Sequence, residues 1–317
     1  MNCPSRCGTT AALLVVAITT LPAHAQELEP RTYSPSPVGT NFLLVGVVYQ
    51  SGNVLIDPTL PVTDIDASAT TSTLAYMRTF GLFGKSASVG LAVPYVWLDA
   101  SGNVGEQQRE VSRVGLGDPR LRFAIGLAGA PALTPAEFAQ REPGPMAGVS
   151  LTVVPPLGEY DGSQLINLGS NRWAFKPELG ASMPWGNAFA EAAAGVWLFT
   201  NNDDYFGGQT REQDPLWSFQ LHVGYSFRPG LWMAVDATYF TGGQTSLDGV
   251  HKRDLQSNSR YGLTLNYPLR ADVSVKLAWT TGLTTRIGGD FDTYGVYLQY
   301  RWFDAPARPG GQSANTL

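Results

Sequence analysis

The segment Asp292-Thr293-Tyr294-Gly295-Val296-Tyr297-Leu298-Gln299-Tyr300-Arg301-Trp302 constrains the fold more than any other part of the chain. Strand side chains alternate with a period of two. Tyr294, Val296, Leu298, Tyr300 and Trp302 therefore share one face, and Thr293, Gly295, Gln299 and Arg301 take the other. A single strand of this kind would suit any sheet with a buried face. About eleven further segments keep the same rhythm, and their aromatic ends recur where a tilted strand would meet a bilayer interface. Clean cases are Leu121, Phe123, Ile125 and Leu127, then Trp217, Phe219, Leu221, Val223, Tyr225 and Phe227, then Tyr261, Leu263, Leu265 and Tyr267. The expected fold is all-β: a single antiparallel transmembrane β-barrel of about twelve strands, of the outer-membrane type.

Strands are predicted at 41–50, 66–79, 85–98, 116–128, 146–155, 172–183, 188–200, 215–227, 231–241, 258–268, 273–284 and 291–302. Most reach the roughly nine to eleven residues that cross a bilayer when tilted. The even count brings both chain ends to one side, expected to be periplasmic. Short links at 81–84, 184–187, 228–230 and 269–272 alternate with long polar ones near 51–65, 99–115, 156–171, 201–214 and 242–257, and a shorter one near 285–290. Short periplasmic turns opposite long external loops are usual for such barrels. Only 129–145 breaks the alternation; within it, Thr134-Pro135-Ala136-Glu137-Phe138 predicts a short helix capped by Thr134, with proline in its first turn.

Residues 1–25 have the form of a secretory signal peptide: Arg6 is the lone charge, Ala11 to Leu21 is largely apolar, and Ala23-His24-Ala25 is an A-x-A site that cuts between Ala25 and Gln26. The organisation expected is a leader at 1–25, a periplasmic lead-in at 26–40, a barrel at 41–303 and a mobile Pro/Gly-rich tail at 304–317. Cys3 and Cys7 leave with the leader, which excludes disulfides and thiolate metal sites from the mature chain. No later stretch approaches the roughly eighteen consecutive apolar residues that a membrane helix needs. Loss of Arg6 leaves 20 basic and 26 acidic residues, a net charge of −6, which argues against a nucleic-acid partner.

Strand parity puts Arg78, Arg120, Arg122, Arg172, Lys176, Arg260, Lys276 and Arg301 on the lumen face, against Glu178, Glu191 and Asp236. Two readings stand together here. An excess of cations lining a narrow pore favours anions; alternatively, the charges pair with one another and fill a small barrel. Asn201, Asn202, Asp203 and Asp204 offer oxygen ligands for calcium but lack the spacing of a calcium loop, so a solvated turn fits them better. The pairs Gly207-Gly208 and Gly242-Gly243 suit turns or bulges, having no lysine or helix behind them to cradle phosphate. No cofactor or metal is expected.

A barrel hydrolase would need a serine within reach of a histidine. His222 and His251 are the histidines beyond the leader, and Ser218 and Ser226 share the face of His222. Residues four apart on one strand lie about 13 Å apart, so no catalytic group forms within the strand, and only a cross-strand serine stays open.

Three runs carry a family resemblance: Gly115-Leu116-Gly117-Asp118-Pro119-Arg120, Leu168-Gly169-Ser170-Asn171-Arg172-Trp173 and Asn201-Asn202-Asp203-Asp204-Tyr205-Phe206-Gly207-Gly208. Over most of the mature chain the sequence resembles the meta-pathway phenol-degradation family of outer-membrane transporters. That resemblance implies a barrel in the outer membrane of a Gram-negative bacterium, passing small, aromatic molecules inward. Its partners would be outer-membrane lipids, the barrel-insertion machinery and a small organic solute. The competing expectations are a structural or adhesive barrel that binds an external partner through its long loops, a lipid hydrolase, and a soluble secreted β-protein.

Overall fold

The computed structural model describes residues 29–56, 62–104 and 107–304. The leader, its cleavage site at Ala25 and Gln26, and the tail beyond Asp304 lie outside the described residues. In chain order the strands are β1 (Thr40–Leu55), β2 (Val62–Leu82), β3 (Lys85–Val104), β4 (Gln107–Leu116), β5 (Arg120–Ala128), β6 (Met146–Val154), β7 (Ala174–Trp185), β8 (Ala188–Phe199), β9 (Asn202–Tyr205), β10 (Gln209–Gln213), β11 (Leu216–Arg228), β12 (Leu231–Gly242), β13 (Thr245–Leu247), β14 (Val250–His251), β15 (Gln256–Pro268), β16 (Val273–Thr284) and β17 (Gly288–Phe303). One helix, α1 (Pro135–Ala139), lies between β5 and β6.

Twelve of these strands close into an antiparallel barrel: β2, β1, β17, β16, β15, β12, β11, β8, β7, β6, β5 and β3 are neighbours in that order, and β3 returns to β2. All twelve predicted strands are present. The closing seam joins the chain ends, with Thr40 opposite Phe303 and Tyr49 opposite Tyr294. Beside the seam, Asp304 pairs with Arg78 at 2.6 Å and accepts from Asn41 Nδ2 at 2.9 Å.

The alternation read from the sequence is an inside-out pattern. Trp217, Phe219, Leu221, Val223, Tyr225 and Phe227 are all exposed on the outer wall, as are Tyr294, Val296, Leu298 and Tyr300. Ser218, His222, Lys176, Glu178, Glu191, Asp236 and Thr264 are buried on the inner wall. A sheet that hides its ions and shows its leucines and aromatics is stable only with lipid around it. Aromatic pairs such as Tyr300 with Trp302 and Tyr95 with Trp97 thicken the outer wall near strand ends, where amphipathic rings suit the interface.

The long links carry more structure than expected. Residues 99–115, predicted as a loop, continue β3 and return as β4, a hairpin standing above the barrel wall. Residues 201–214 and 242–257 likewise contribute β9, β10, β13 and β14, which form a separate four-stranded sheet capping the same end. These strands are short and polar, so they lack the period-two apolar signal. The helix in 129–145 forms as predicted: Thr134 accepts from the Glu137 N–H, and Glu137 Oε2 accepts from the Thr134 N–H at 2.8 Å, a reciprocal cap.

Candidate functional site

The segment ahead of β1, expected as a lead-in, enters the lumen. Tyr33 is 2% exposed. Its phenol donates to Glu178 Oε1 at 2.9 Å and shares a hydrogen bond with Ser150 Oγ at 3.1 Å, while Ser182 Oγ donates to the Tyr33 carbonyl at 2.8 Å. The ring occupies space that β7 leaves by having glycine at 180: a Cβ there would lie 2.1 Å from it. Arg31, at φ 68°, donates to Ser226 Oγ at 2.5 Å and sits over the rings of Phe189 and Trp232, 4.4 and 5.1 Å from their centroids. Glu191 faces the backbone N–H groups of Thr32 and Tyr33. The segment leaves the lumen at Pro37, whose carbonyl accepts from Thr40 and Thr79 hydroxyls at 2.7 and 2.6 Å.

Charge chemistry fixes this plug as well. Burial and the Glu178 carboxylate push the Tyr33 phenol above its ordinary range, so it stays a donor. Glu29 pairs with Lys276 at 2.8 Å, and the ammonium holds its carboxyl below the usual value. Since Glu29 is 63% exposed, that pair is largely screened.

At mid-lumen the predicted charges are drawn together. Lys176 Nζ lies 2.6 Å from Glu178 Oε2, and Arg122 Nη2 lies 3.7 Å from Glu178 Oε1 while donating to Ser150 Oγ at 2.9 Å. Across the sheet, Asp236 binds His222 Nδ1 at 2.7 Å and accepts from Thr264 Oγ1 at 2.6 Å. His222 faces Glu191 and Asp236 on its neighbouring strands. Carboxylates, and not a serine, occupy the cross-strand positions left open by the sequence.

The other predicted lumen residues lie apart. Arg260 is buried, donating to the Phe291 carbonyl at 2.5 Å. Arg78, paired with Asp304, and Arg301, which donates to the Ala271 carbonyl at 2.9 Å, are exposed at the rim beside the seam. Arg120 is half-buried at the start of β5. Asp203 and Asp204 are exposed on β9, and among the described residues no group of three or more carboxylate, histidine or cysteine side chains could hold a metal ion.

The three runs that carried the family resemblance converge at the capped mouth. Asp118 Oδ1 accepts from the Gly158 N–H at 2.8 Å, and its Oδ2 accepts from the Ser170 N–H and hydroxyl at 2.8 and 2.7 Å. Asn171 Nδ2 donates to Asn202 Oδ1 at 2.9 Å, and Asn202 Nδ2 donates to Tyr160 Oη at 2.9 Å. Gly158 and Gly169 lie so close that a Cβ on Gly169 would be 2.7 Å from the Gly158 backbone. This network fixes the chain just ahead of β7 and turns Arg172 into the interior. There Arg172 is 7% exposed, donates to Gln213 Oε1 and covers the Phe199 ring at 4.3 Å. Arg211, arriving from β10 in the cap, is equally buried and lies 5.3 Å from the centroid of Tyr205. Sequence reasoning missed Arg211, Tyr33 and Arg31 because none sits on a membrane strand whose parity could be counted.

The architecture resembles solved outer-membrane barrels. A COG4313 outer membrane channel from Pseudomonas putida F1 superposes with a TM-score of 0.73 at 20% identity, covering 87% of this chain and all of that one. The NanC porin gives a TM-score of 0.46 at 10% identity over 83% of this chain and 100% of its own, and the KdgM porin gives 0.44 at 7% over 81% and 98%. No curated protein sequence matches the chain. A family profile does match, over residues 47–300, which is most of the barrel. The chain belongs to the family described as "Putative MetA-pathway of phenol degradation".

Proposed function

We propose that the protein is an outer-membrane channel for passive entry of small organic solutes, aromatic anions foremost, held closed at rest by its own N-terminal segment. The observation that carries this reading is the character of what fills the lumen. The inner wall is polar and ionic, as at Lys176, Glu178, Arg122 and Asp236, and the central occupant is the segment ahead of β1, tied by side-chain contacts instead of strand pairing. A segment held by hydrogen bonds can leave without breaking the barrel; a lumen filled by core packing cannot.

The family's link to aromatic catabolism supports an aromatic solute, and the excess of lumen cations over carboxylates supports an anion. Arg120, Arg122, Arg172, Lys176 and Arg260 would guide it electrostatically. The cap side would face outward and the plug side the periplasm, which fits the short turns on the plug side and an insertion route led by a signal peptide. No residue is assigned to bond-making chemistry.

A second reading has an observation of its own: Tyr33 fills the lumen so closely that the barrel could be a closed structural or adhesive element. Planar-bilayer recordings separate the two. A channel gives wild-type openings that become frequent in Tyr33→Ala, with benzoate flux into liposomes; a structural barrel stays silent in both proteins.

A further inference from the structure

We propose that Arg172 and Arg211 form an entry site under the cap that binds the carboxylate of a small aromatic anion, with Phe199 offering a ring against its body. This rests on the channel reading above and names the first stop of the solute. A guanidinium that is 93% buried ordinarily has a carboxylate partner. Arg172 has none among the described residues: Nη2 donates to Gln213, whose own amide is held by the Gly243 carbonyl at 2.9 Å, and Nη1 is buried without a partner.

The nearby carboxylates are engaged elsewhere. Both oxygens of Asp118 hold the Gly158 and Ser170 backbone, and both oxygens of Asp254 hold Thr245, at 2.8 and 2.6 Å. Two positions from Gln213 on β10 lies a second buried guanidinium, Arg211; burial and this neighbour lower the Arg172 pKa, with Tyr205 and Asp118 acting against them. Arginine does not lose its proton in a protein, so Arg172 keeps its charge while its buried Nη1 has no hydrogen-bond acceptor. A planar oxyanion supplies one, and the guanidinium fork matches carboxylate geometry.

The surroundings select an aromatic body over a bare ion. Phe199 is half-buried, so part of it stays open, and it stacks against Trp197 with centroids 6.5 Å apart at 12°. Lys176 lies deeper along β7, paired with Glu178, the carboxylate that also holds the plug.

The test is benzoate binding to the full mature protein in detergent by titration calorimetry, with benzyl alcohol as the neutral isostere. Benzoate should bind saturably and at least about tenfold more tightly than benzyl alcohol. Arg172→Gln should remove that preference, and Arg172→Lys should restore only part of it. Since either variant could disturb the mouth, a wild-type measurement stands beside them: benzoate should slow modification of Arg172 by phenylglyoxal, read by mass spectrometry, while benzyl alcohol should not. Equal binding of the two probes, or full benzoate affinity in a folded Arg172→Gln protein, or no protection, would overturn the site. Benzoate flux into liposomes without binding sinks this site alone, whereas binding without flux sinks the channel reading and leaves the site.

Discussion

The phenol of Tyr33 donates to Glu178 Oε1 at 2.9 Å across 145 positions of sequence. The carboxylate that answers Lys176 and Arg122 on the barrel wall thus also holds the segment that fills the lumen. Plug and wall share one ionic centre, and changes to either should be felt by both.

Tyr33→Phe keeps the ring in its place beside Gly180 and removes only the hydroxyl. A hydrogen bond to a charged acceptor contributes about 1.5–3 kcal/mol, so the undocked population should rise roughly tenfold or more. Gly180→Val attacks the same contact from the wall, because even a Cβ there meets the ring at 2.1 Å. Protease cleavage of the N-terminal segment in intact, folded barrels should accelerate in both variants.

Glu178→Gln removes the carboxylate from Lys176, whose side chain is 2% exposed. Breaking a buried ion pair from one side costs about 3–5 kcal/mol, so the temperature at which the barrel loses its heat-modifiable gel shift should fall clearly. An unchanged transition would mean that water enters the centre freely.

The plug should respond to pH at both extremes. Glu29 is held below its ordinary value by Lys276, so its contribution is complete above the ordinary glutamate range and is lost as pH falls through the depressed value. Tyr33 is raised by burial and by Glu178; its contribution is complete below the ordinary tyrosine range and is lost as pH rises through the raised one. Proteolytic accessibility of the segment should be lowest near neutrality. Glu29→Gln should flatten the acid limb only, and by a small amount because the carboxylate is mostly exposed.

Truncation after Asp304 should leave folding intact, since the seam ends with Phe303 opposite Thr40 and Asp304 beside Arg78 and Asn41. Removal of β17 should abolish it, because β1 and β16 would become open edges in lipid. Gel mobility with and without heating distinguishes the two.

The barrel was legible because each membrane strand repeats one binary rule over enough residues to be counted, as from Trp217 to Phe227. The cap strands were not: β9, Asn202–Tyr205, and β13, Thr245–Leu247, are too short and polar to show a period. Candidate lumen charges followed from parity, but parity says nothing of pairing, and Glu178 collects Lys176, Arg122 and Tyr33 only once the strands are in register. Tyr33 itself gave no signal, because its partners Ser150 and Glu178 are 117 and 145 positions away. The Gly115–Arg120 and Leu168–Trp173 runs carried the family resemblance in the sequence; in the structure they bring Asp118 to Ser170 and position Arg172.

The most direct measurement is single-channel recording of the mature protein in planar bilayers, with wild type, Tyr33→Ala and a deletion of residues 29–36 compared under a salt gradient. Brief openings in wild type, long-lived openings in both altered proteins and a reversal potential displaced toward anion permeation would follow from a lumen closed by its own N-terminal segment and lined by buried arginines at the mouth. Silent membranes for all three folded proteins, or equal conductance with and without the segment, would contradict it.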